Sequence, residues 1–454
     1  MPRIDGKTLI EMGYEPGPWF KAALLAALAE PEAAELRPVI DRVRDAWLAA
    51  ERKKIDDARA QARKALPAGV VHDPGEAAPA PVVVGEHDAG TVAQMNRCLA
   101  YGSVLGGAIC ADGHLGYAQP VGGVIAYREH VSVSGVGFDI ACGNMAVRTD
   151  LATADLGDRD ALADRLARSL SFGIGRNNAE TVEHALLDDA DAWREGDVED
   201  LRQMAGEQLG TIGSGNHYVD LFADPEDRVW IGVHFGSRGF GHKAATRYLQ
   251  MAGGKEGIDV PPTVLHVESE IGRRYLAAMR LAGRYAYAGR EWVVGKVLEL
   301  IGGEAVETVH NHHNFAWEED HGDAGKAWVV RKGATPAFPG QRGFVGGSMG
   351  DDAVIVEGVG GAASKAIWRS TIHGAGRTFG RREAIRRFAR PEMDAWLKER
   401  RVTLRGAGLD ESPMAYRRLD AVLAHHADTI RVVTRLRPLV VVMAGAGEVD
   451  PYKD

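Results

Sequence analysis

The sequence predicts an α+β fold, with mixed β-sheets and surrounding helices, preceded by a helical N-terminal extension. Three observations predict it. From Val82 onward, short β-branched runs alternate with glycine-rich turns. Between them lie segments whose apolar residues recur at helical spacing. Ahead of both, residues 1–66 read as helices, and the Ala-, Pro- and Gly-rich stretch 67–81 reads as a linker.

In the extension, Leu24, Leu25 and Leu28, then Leu36, Ile40, Val43 and Trp47, fall at helical spacing. Pro16-Gly17-Pro18 marks a turn before the first of these helices, and Pro31 separates it from the next. Residues 82–454 form the main domain. Strands are expected at Val121–Ala126, Val131–Val136, Val229–Val233, Val354–Val359 and Leu439–Val442. Helices are expected over 160–171, 264–300, 362–369, 380–400 and 415–430. No internal repeat and no G-x-x-x-x-G-K-[ST] phosphate loop occurs.

The 454 residues are 45% hydrophobic and 26% charged, an ordinary globular composition. No apolar run reaches the ~18 residues of a membrane span. The N-terminus lacks the apolar stretch of a secretory signal, so a cytoplasmic protein with no membrane partner is expected. A net charge of -9 gives no molecule-wide attraction for polyanions. Arg377, Arg381, Arg382, Arg386, Arg387 and Arg390 nevertheless concentrate positive charge in one short segment. Three cysteines, Cys98, Cys110 and Cys142, cannot all pair. A disulfide framework is not expected, and a cysteine is available as ligand or nucleophile.

Six glycine-bracketed polar motifs carry the chemistry. In Gly135–Gly143, Asp139 and Cys142 stand three apart after an apolar run, a carboxylate and a thiol that can face one divalent cation. Gly210–His217 is a glycine loop suited to wrapping an anion, ending in Asn216 and His217. His234 closes an apolar run before Gly236-Ser237-Arg238-Gly239, where a ligand could stand beside a phosphate site. Three histidines, His310, His312 and His313, fall within four residues, and they cannot all face one way. Arg331-Lys332-Gly333-Ala334-Thr335 leads toward a second glycine turn, Gly346-Gly347-Ser348-Met349-Gly350, readable as a phosphate cradle or as an ordinary loop. In His373-Gly374-Ala375-Gly376-Arg377 the imidazole has room to act as a nucleophile on phosphorus, or simply opens a helix. Jointly the six motifs point to a metal plus a nucleotide.

These motifs, in this order and spanning about residues 92–443, resemble the RtcB RNA-splicing ligases. The stretch Ala111-Asp112-Gly113-His114-Leu115-Gly116-Tyr117 belongs to the same resemblance. The resemblance implies an RtcB-like catalytic fold and two manganese ions. Asp139, Cys142 and His217 would hold one; Cys142, His234 and His313 would hold the other. From ligand types alone, a thiolate with imidazoles suggests zinc. His373 would attack the α-phosphate of GTP and carry GMP. The nucleotide would lie among Asn216, His217, Tyr218 and Asp220, then His313 and Asn314. It would also meet Gly346, Gly347, Ser348 and Met349, then Gly374, Ala375 and Gly376, with Tyr416 beside it. The implied substrates are RNAs with 2′,3′-cyclic-phosphate or 3′-phosphate ends and 5′-hydroxyl ends, with an activator protein as an open question.

The resemblance departs from the family pattern around the base. Met443 stands where the family has a Lys that contacts guanine, Ala353 where it has Ser, and Asp220 where it has Glu. Arg284 and Gly289 replace two Asn residues. Two other functions fit the same residues. One is an RNA end-healing phosphodiesterase or nucleotidyltransferase that never seals. The other is a non-catalytic RNA-end-binding homologue. No Lys begins a K-x-D-G motif, so a lysine-based ligase is not supported.

Overall fold

The computed structural model describes residues 4–29, 36–64, 66–75, 79–445 and 447. The fold is α+β, and the chain divides into two units, 1–66 and 67–454. In the first unit, helices Gly6–Glu11, Phe20–Ala29 and Arg37–Lys64 gather Leu9, Tyr14, Trp19, Ala23 and Ile40 into a small core. Asp5 caps the first helix by accepting from the amides of Lys7 and Thr8. The apolar face of Phe20–Ala29 is Ala23 and Ala27, whereas Leu25 and Leu28 stand 60% and 62% exposed. The leucine spacing therefore marked a helix but not its buried side. A helix also precedes Pro16-Gly17-Pro18, and Pro31 lies outside the described residues.

In the second unit, among the described residues, one large sheet and one five-stranded sheet dominate. The large sheet runs Ala305–His312, Gly143–Ala152, Arg228–Phe235, Tyr218–Ala223, Ile430–Met443, Ala353–Gly358, Arg342–Val345, with Thr403–Arg405 added parallel to Ile430–Met443. The smaller sheet runs Asn314–Asp320, Lys326–Lys332, Val121–Tyr127, Val104–His114, Val82–Val83. The stretch read as a linker contains a two-residue strand, Val70–Val71, paired with Val264–His266; residues 76–78 of it lie outside the described residues. The strand expected at Val131–Val136 is shorter. His130–Ser132 is extended, but Val133–Val136 turns helical because Ser132 Oγ accepts the Gly135 amide at 2.9 Å and caps it.

Register decides where the polar motifs meet. Gly143 pairs with both Phe235 and His312, and His234 pairs with both Asn144 and Tyr218. Four neighbouring strands thus present Cys142, His217, His234 and His313 at the same end of the sheet. Behind them runs the helix Glu270–Ile301. It is opened by Ser269 Oγ accepting from Gly272, and closed by Gly302 at φ 72°. Its buried residues recur at helical spacing from Ile271 to Val297, which fixes it against the sheet and places Arg290 under the strand ends. No helix among the described residues is long and apolar enough to cross a membrane.

Candidate active site

Cys142 Sγ lies 3.6 Å from both His217 Nε2 and His234 Nε2, and all three residues are buried. The three donor atoms lie within 4.8 Å of one another. Asp139 Oδ2 is 3.1 Å from His217 Nε2. The other ring nitrogens have their own partners. His217 Nδ1 meets the Ile212 carbonyl at 3.1 Å, and His234 Nδ1 meets Asn144 Oδ1. Donation from Nδ1 would leave each Nε2 lone pair facing the cluster when a cation is bound; without one, His217 Nε2 is the group that hydrogen-bonds Asp139. Asn144 is itself held, donating to the Phe344 carbonyl at 2.8 Å.

The electrostatics match. Burial pushes the imidazoles of His234 and His313 well below their ordinary value, so both stay neutral. Burial works against the Asp139 carboxylate, but its hydrogen bond and attraction to His217 outweigh that and hold it below the ordinary range. Burial, reinforced by the negative Asp139, pushes the Cys142 thiol up. A bound cation is what would turn that thiol into a thiolate ligand. Carboxylate, thiol and neutral imidazoles converging in this way fit a divalent metal.

The chain reaches this geometry through a constrained turn. Ala141 sits at φ 60°, a left-handed conformation uncommon for alanine. Its amide donates to Asn314 O at 2.7 Å, and its carbonyl accepts from Arg290 Nη1 at 3.1 Å. Arg290 is fully buried and also donates to the Phe235 carbonyl, to His310 Nε2 and to His312 Nδ1. Two of the three clustered histidines are therefore spent on this guanidinium. His313 faces the other way, its ring 5.1 Å from His234 and 4.9 Å from His373.

His373 follows the strand Ser370–Ile372, which pairs with Ala334–Pro336. Its Nδ1 is 2.6 Å from Asp112 Oδ2, and the same oxygen accepts the backbone amides of His373 and Gly374 at 2.9 and 3.3 Å. Asp112 is buried where the register of the strand Val104–His114 breaks between Ile109 and His114. Burial tends to raise its carboxyl, but the His373 imidazole outweighs this and keeps it below the ordinary value. A Cβ on Gly376, which sits at φ 74°, would come within 2.3 Å of the Asp112 carbonyl, so this loop needs glycine to close on Asp112.

Two glycine turns flank His373. Gly346 bridges to Gly374, bringing the turn 346–350 alongside. In the loop Gly213-Ser214-Gly215-Asn216, the guanidinium of Arg238 lies against Gly213 and that of Arg381 against Gly215. A glycine loop beside the Arg238 head suits phosphate, while Arg381 is held by Asp410 and Glu411. Other expected residues are committed elsewhere. Ser348 Oγ donates to Asp351 at 2.7 Å. Asn314 accepts from the Gly333 amide and donates to the Asp139 carbonyl, bracing two loops. The Tyr416 hydroxyl accepts from Arg377 Nη1 at 2.9 Å and donates to Glu411. The Arg331-Lys332 cradle reading is corrected. Arg331 is fully buried in a two-point pair with Glu319 at 2.6 and 3.0 Å, and Lys332 Nζ donates to the Tyr117 carbonyl at 2.6 Å.

Among the departures, Arg284 pairs with Asp189 at 2.9 Å, and Gly289 packs against Phe235. Ala353 lies in a buried apolar cluster with Phe344 and Leu436. Asp220 and Met443 stand on paired strands, opposite Val441 and Tyr218 respectively. Burial raises the Asp220 carboxyl well above its ordinary range. Asp112, Asn144 and Arg290 were given no role from sequence. The signal for Asp112 was a charge inside a buried apolar run.

Comparison with known proteins bears on this site. The family described as "tRNA-splicing ligase RtcB" matches residues 92–444. A tRNA-splicing ligase RtcB of Thermococcus kodakarensis is 31% identical, over 73% of this chain and 86% of its own length. An RNA-splicing ligase RtcB of Mycobacterium tuberculosis is 31% identical, over 72% of this chain and 94% of its own. An RNA-splicing ligase RtcB1 of Escherichia coli is 30% identical, over 74% and 89% respectively. With a match that spans the strand ends, both glycine turns and His373, the chain belongs to the RtcB family.

Proposed function

We propose that the protein is an RNA ligase that joins 2′,3′-cyclic-phosphate or 3′-phosphate ends to 5′-hydroxyl ends, using GTP and two manganese ions. The observation that carries the reading is the chain of rings from His234 through His313 to His373, with Asp112 behind the last. It supports a reading in which His373, as nucleophile, would act beside the residues that would hold the cations.

Asp139, Cys142, His217, His234 and His313 would hold the cations. When bound, these neutralise phosphate charge and align oxygens for in-line displacement. The remaining steps belong to the side chains. Asp112, as carboxylate, accepts a hydrogen bond from His373 Nδ1–H, so the Nε2 lone pair would be the attacking one. Nε2 forms a bond to the α-phosphorus of GTP as the bond to pyrophosphate breaks, leaving GMP on His373. A cyclic phosphate is first opened by water to a 3′-phosphate. An oxygen of that 3′-phosphate then takes the GMP from His373. The 5′-hydroxyl of the second RNA attacks the activated 3′-phosphorus, loses its proton and displaces GMP. Arg238, against Gly213, would supply positive charge for the triphosphate, whereas Arg381, against Gly215, is paired with Asp410 and Glu411.

An RNA with a 2′,3′-cyclic phosphate, mixed with a 5′-hydroxyl RNA, GTP and manganese, tests this directly. The reading expects product of the summed length, lost in His373→Ala. Opening of the cycle without joining would replace it with an end-healing activity. Binding with no change of either RNA would make it a non-catalytic homologue.

A further inference from the structure

Residues 110–113 of the strand Val104–His114 fall inside a break in its register with Val121–Tyr127. Side chains bond the main chain there. The Ala111 amide donates to His426 Nε2 at 3.2 Å. The Asp112 carbonyl meets His114 Nδ1 at 3.1 Å, and the Gly113 carbonyl meets His87 Nδ1 at 3.1 Å. Arg417 spans the whole segment. Its Nη1 donates to the Ala111 carbonyl at 2.8 Å and its Nη2 to the Gly113 carbonyl at 2.9 Å, so one guanidinium straddles Asp112. A planar fork holds two acceptors at once in a fixed geometry, which an ammonium does not.

Arg417 also reaches the His373 side. Its backbone amide donates to the Gly376 carbonyl at 2.9 Å, and its neighbour Tyr416 forms a bridge with Arg377. Gly376 ends the short loop that begins at His373, and it lies against the Asp112 main chain. Arg417 therefore ties together the segments 111–113, 374–376 and 416–417. Resting on the reading that His373 takes a nucleotide, we propose that Arg417 is a positioning residue for that transfer, setting the Asp112 carboxylate against His373 Nδ1. Asp112 Oδ2 accepts from Nδ1 and from the amides of His373 and Gly374. A shift of the main chain at 111–113 would move one acceptor away from three donors together. Both Nη atoms of Arg417 are directed at main-chain carbonyls, so its effect passes through Asp112 and not through the nucleotide.

The test is the rate at which label passes from α-labelled GTP to the full-length protein with manganese, in Arg417→Met, Asp112→Asn and the double variant. Arg417→Met is expected to lower the maximal rate about 10²-fold, the scale of a group misplaced by about 1 Å, with KM for GTP changed less than about threefold. In the Asp112→Asn background the same substitution is expected to cost less than about threefold, because residues that act as one unit do not add. Arg417→Lys keeps the charge but loses the fork. Its expected loss is about tenfold, and it carries the same cycle if circular dichroism shows Arg417→Met unfolded. Rates within about threefold of wild type, a raised KM with the maximal rate kept, or equal losses in both backgrounds overturn this inference alone. Absence of label on the wild-type protein overturns it together with the reading on which it rests.

Discussion

Asp112 Oδ2 and His373 Nδ1 lie 2.6 Å apart, although 261 residues separate them in sequence. This contact fixes which ring nitrogen of His373 is free. Asp112→Asn keeps the shape but presents an amide that can hold the wrong tautomer. Transfer of labelled nucleotide to the protein is expected to fall by about 10³–10⁴-fold, the scale known for a buried Asp that orients a catalytic imidazole. A loss below about tenfold would remove Asp112 from that role.

Asn144 meets His234 Nδ1 and is braced by the Phe344 carbonyl. Asn144→Ala frees the ring to rotate and removes the acceptor that sets its tautomer. Manganese affinity is expected to drop about 10–100-fold, measured by calorimetry, with the melting temperature of the metal-free protein little changed. Unchanged affinity would place His234 outside the cation site.

Glu319 and Arg331 form a buried pair that links two strands of the smaller sheet. Burial alone would raise the Glu319 carboxyl, but Arg331 outweighs it and holds it below its ordinary 4.5. A depressed folded-state value means the stabilisation is complete above the unfolded value and is lost as pH falls through the folded one. Glu319→Gln is expected to cost about 3–5 kcal/mol near neutrality, because a buried guanidinium loses its counter-charge. Urea unfolding at descending pH checks the sign: the gap between wild type and variant narrows below about pH 4.5. A gap that widens with acid would contradict it.

Arg290 donates to the carbonyls of Ala141 and Phe235, the neighbours of Cys142 and His234. Arg290→Met removes both anchors while keeping an apolar stem. Manganese affinity is expected to fall by at least about tenfold, as when an outer partner of a metal ligand is lost. Manganese titration of the variant, with circular dichroism to confirm its fold, checks this; retained affinity would show that the strand ends hold the ligands unaided.

The α+β class and about half of the helices were legible because apolar spacing is a local property; Ala89–Leu99 and Arg238–Met251 were not expected, 380–400 is two helices, Arg381–Arg387 and Arg390–Glu399, and 415–430 shortens to Leu419–Ala424. The segment 264–300 became the helix Glu270–Ile301, preceded by the short strand Val264–His266. Several strands were not legible. Val104–His114 and Gly143–Ala152 carry glycine, polar and charged residues inside buried runs, and tertiary pairing overrides their weak strand pattern. The glycine-bracketed motifs were visible because a tight polar turn writes its needs into adjacent residues. Cys142, His217 and His234 do meet, through register between strands far apart in sequence. What could not be read was which polar groups are already spent. Arg331, Ser348 and Tyr416 look available in sequence, yet Glu319, Asp351 and Glu411 hold them. Asp112 and Arg290 stayed silent for the converse reason, since their partners come from distant strands and loops.

The central claim is that His373 carries the nucleotide. Mass spectrometry of the protein after incubation with manganese and GTP, followed by digestion, tests it most directly. The peptide containing His373 is expected to gain one GMP through an acid-labile, alkali-stable bond, and His373→Ala to gain none. Nucleotide found on a lysine, or on no residue while manganese is bound, would contradict it.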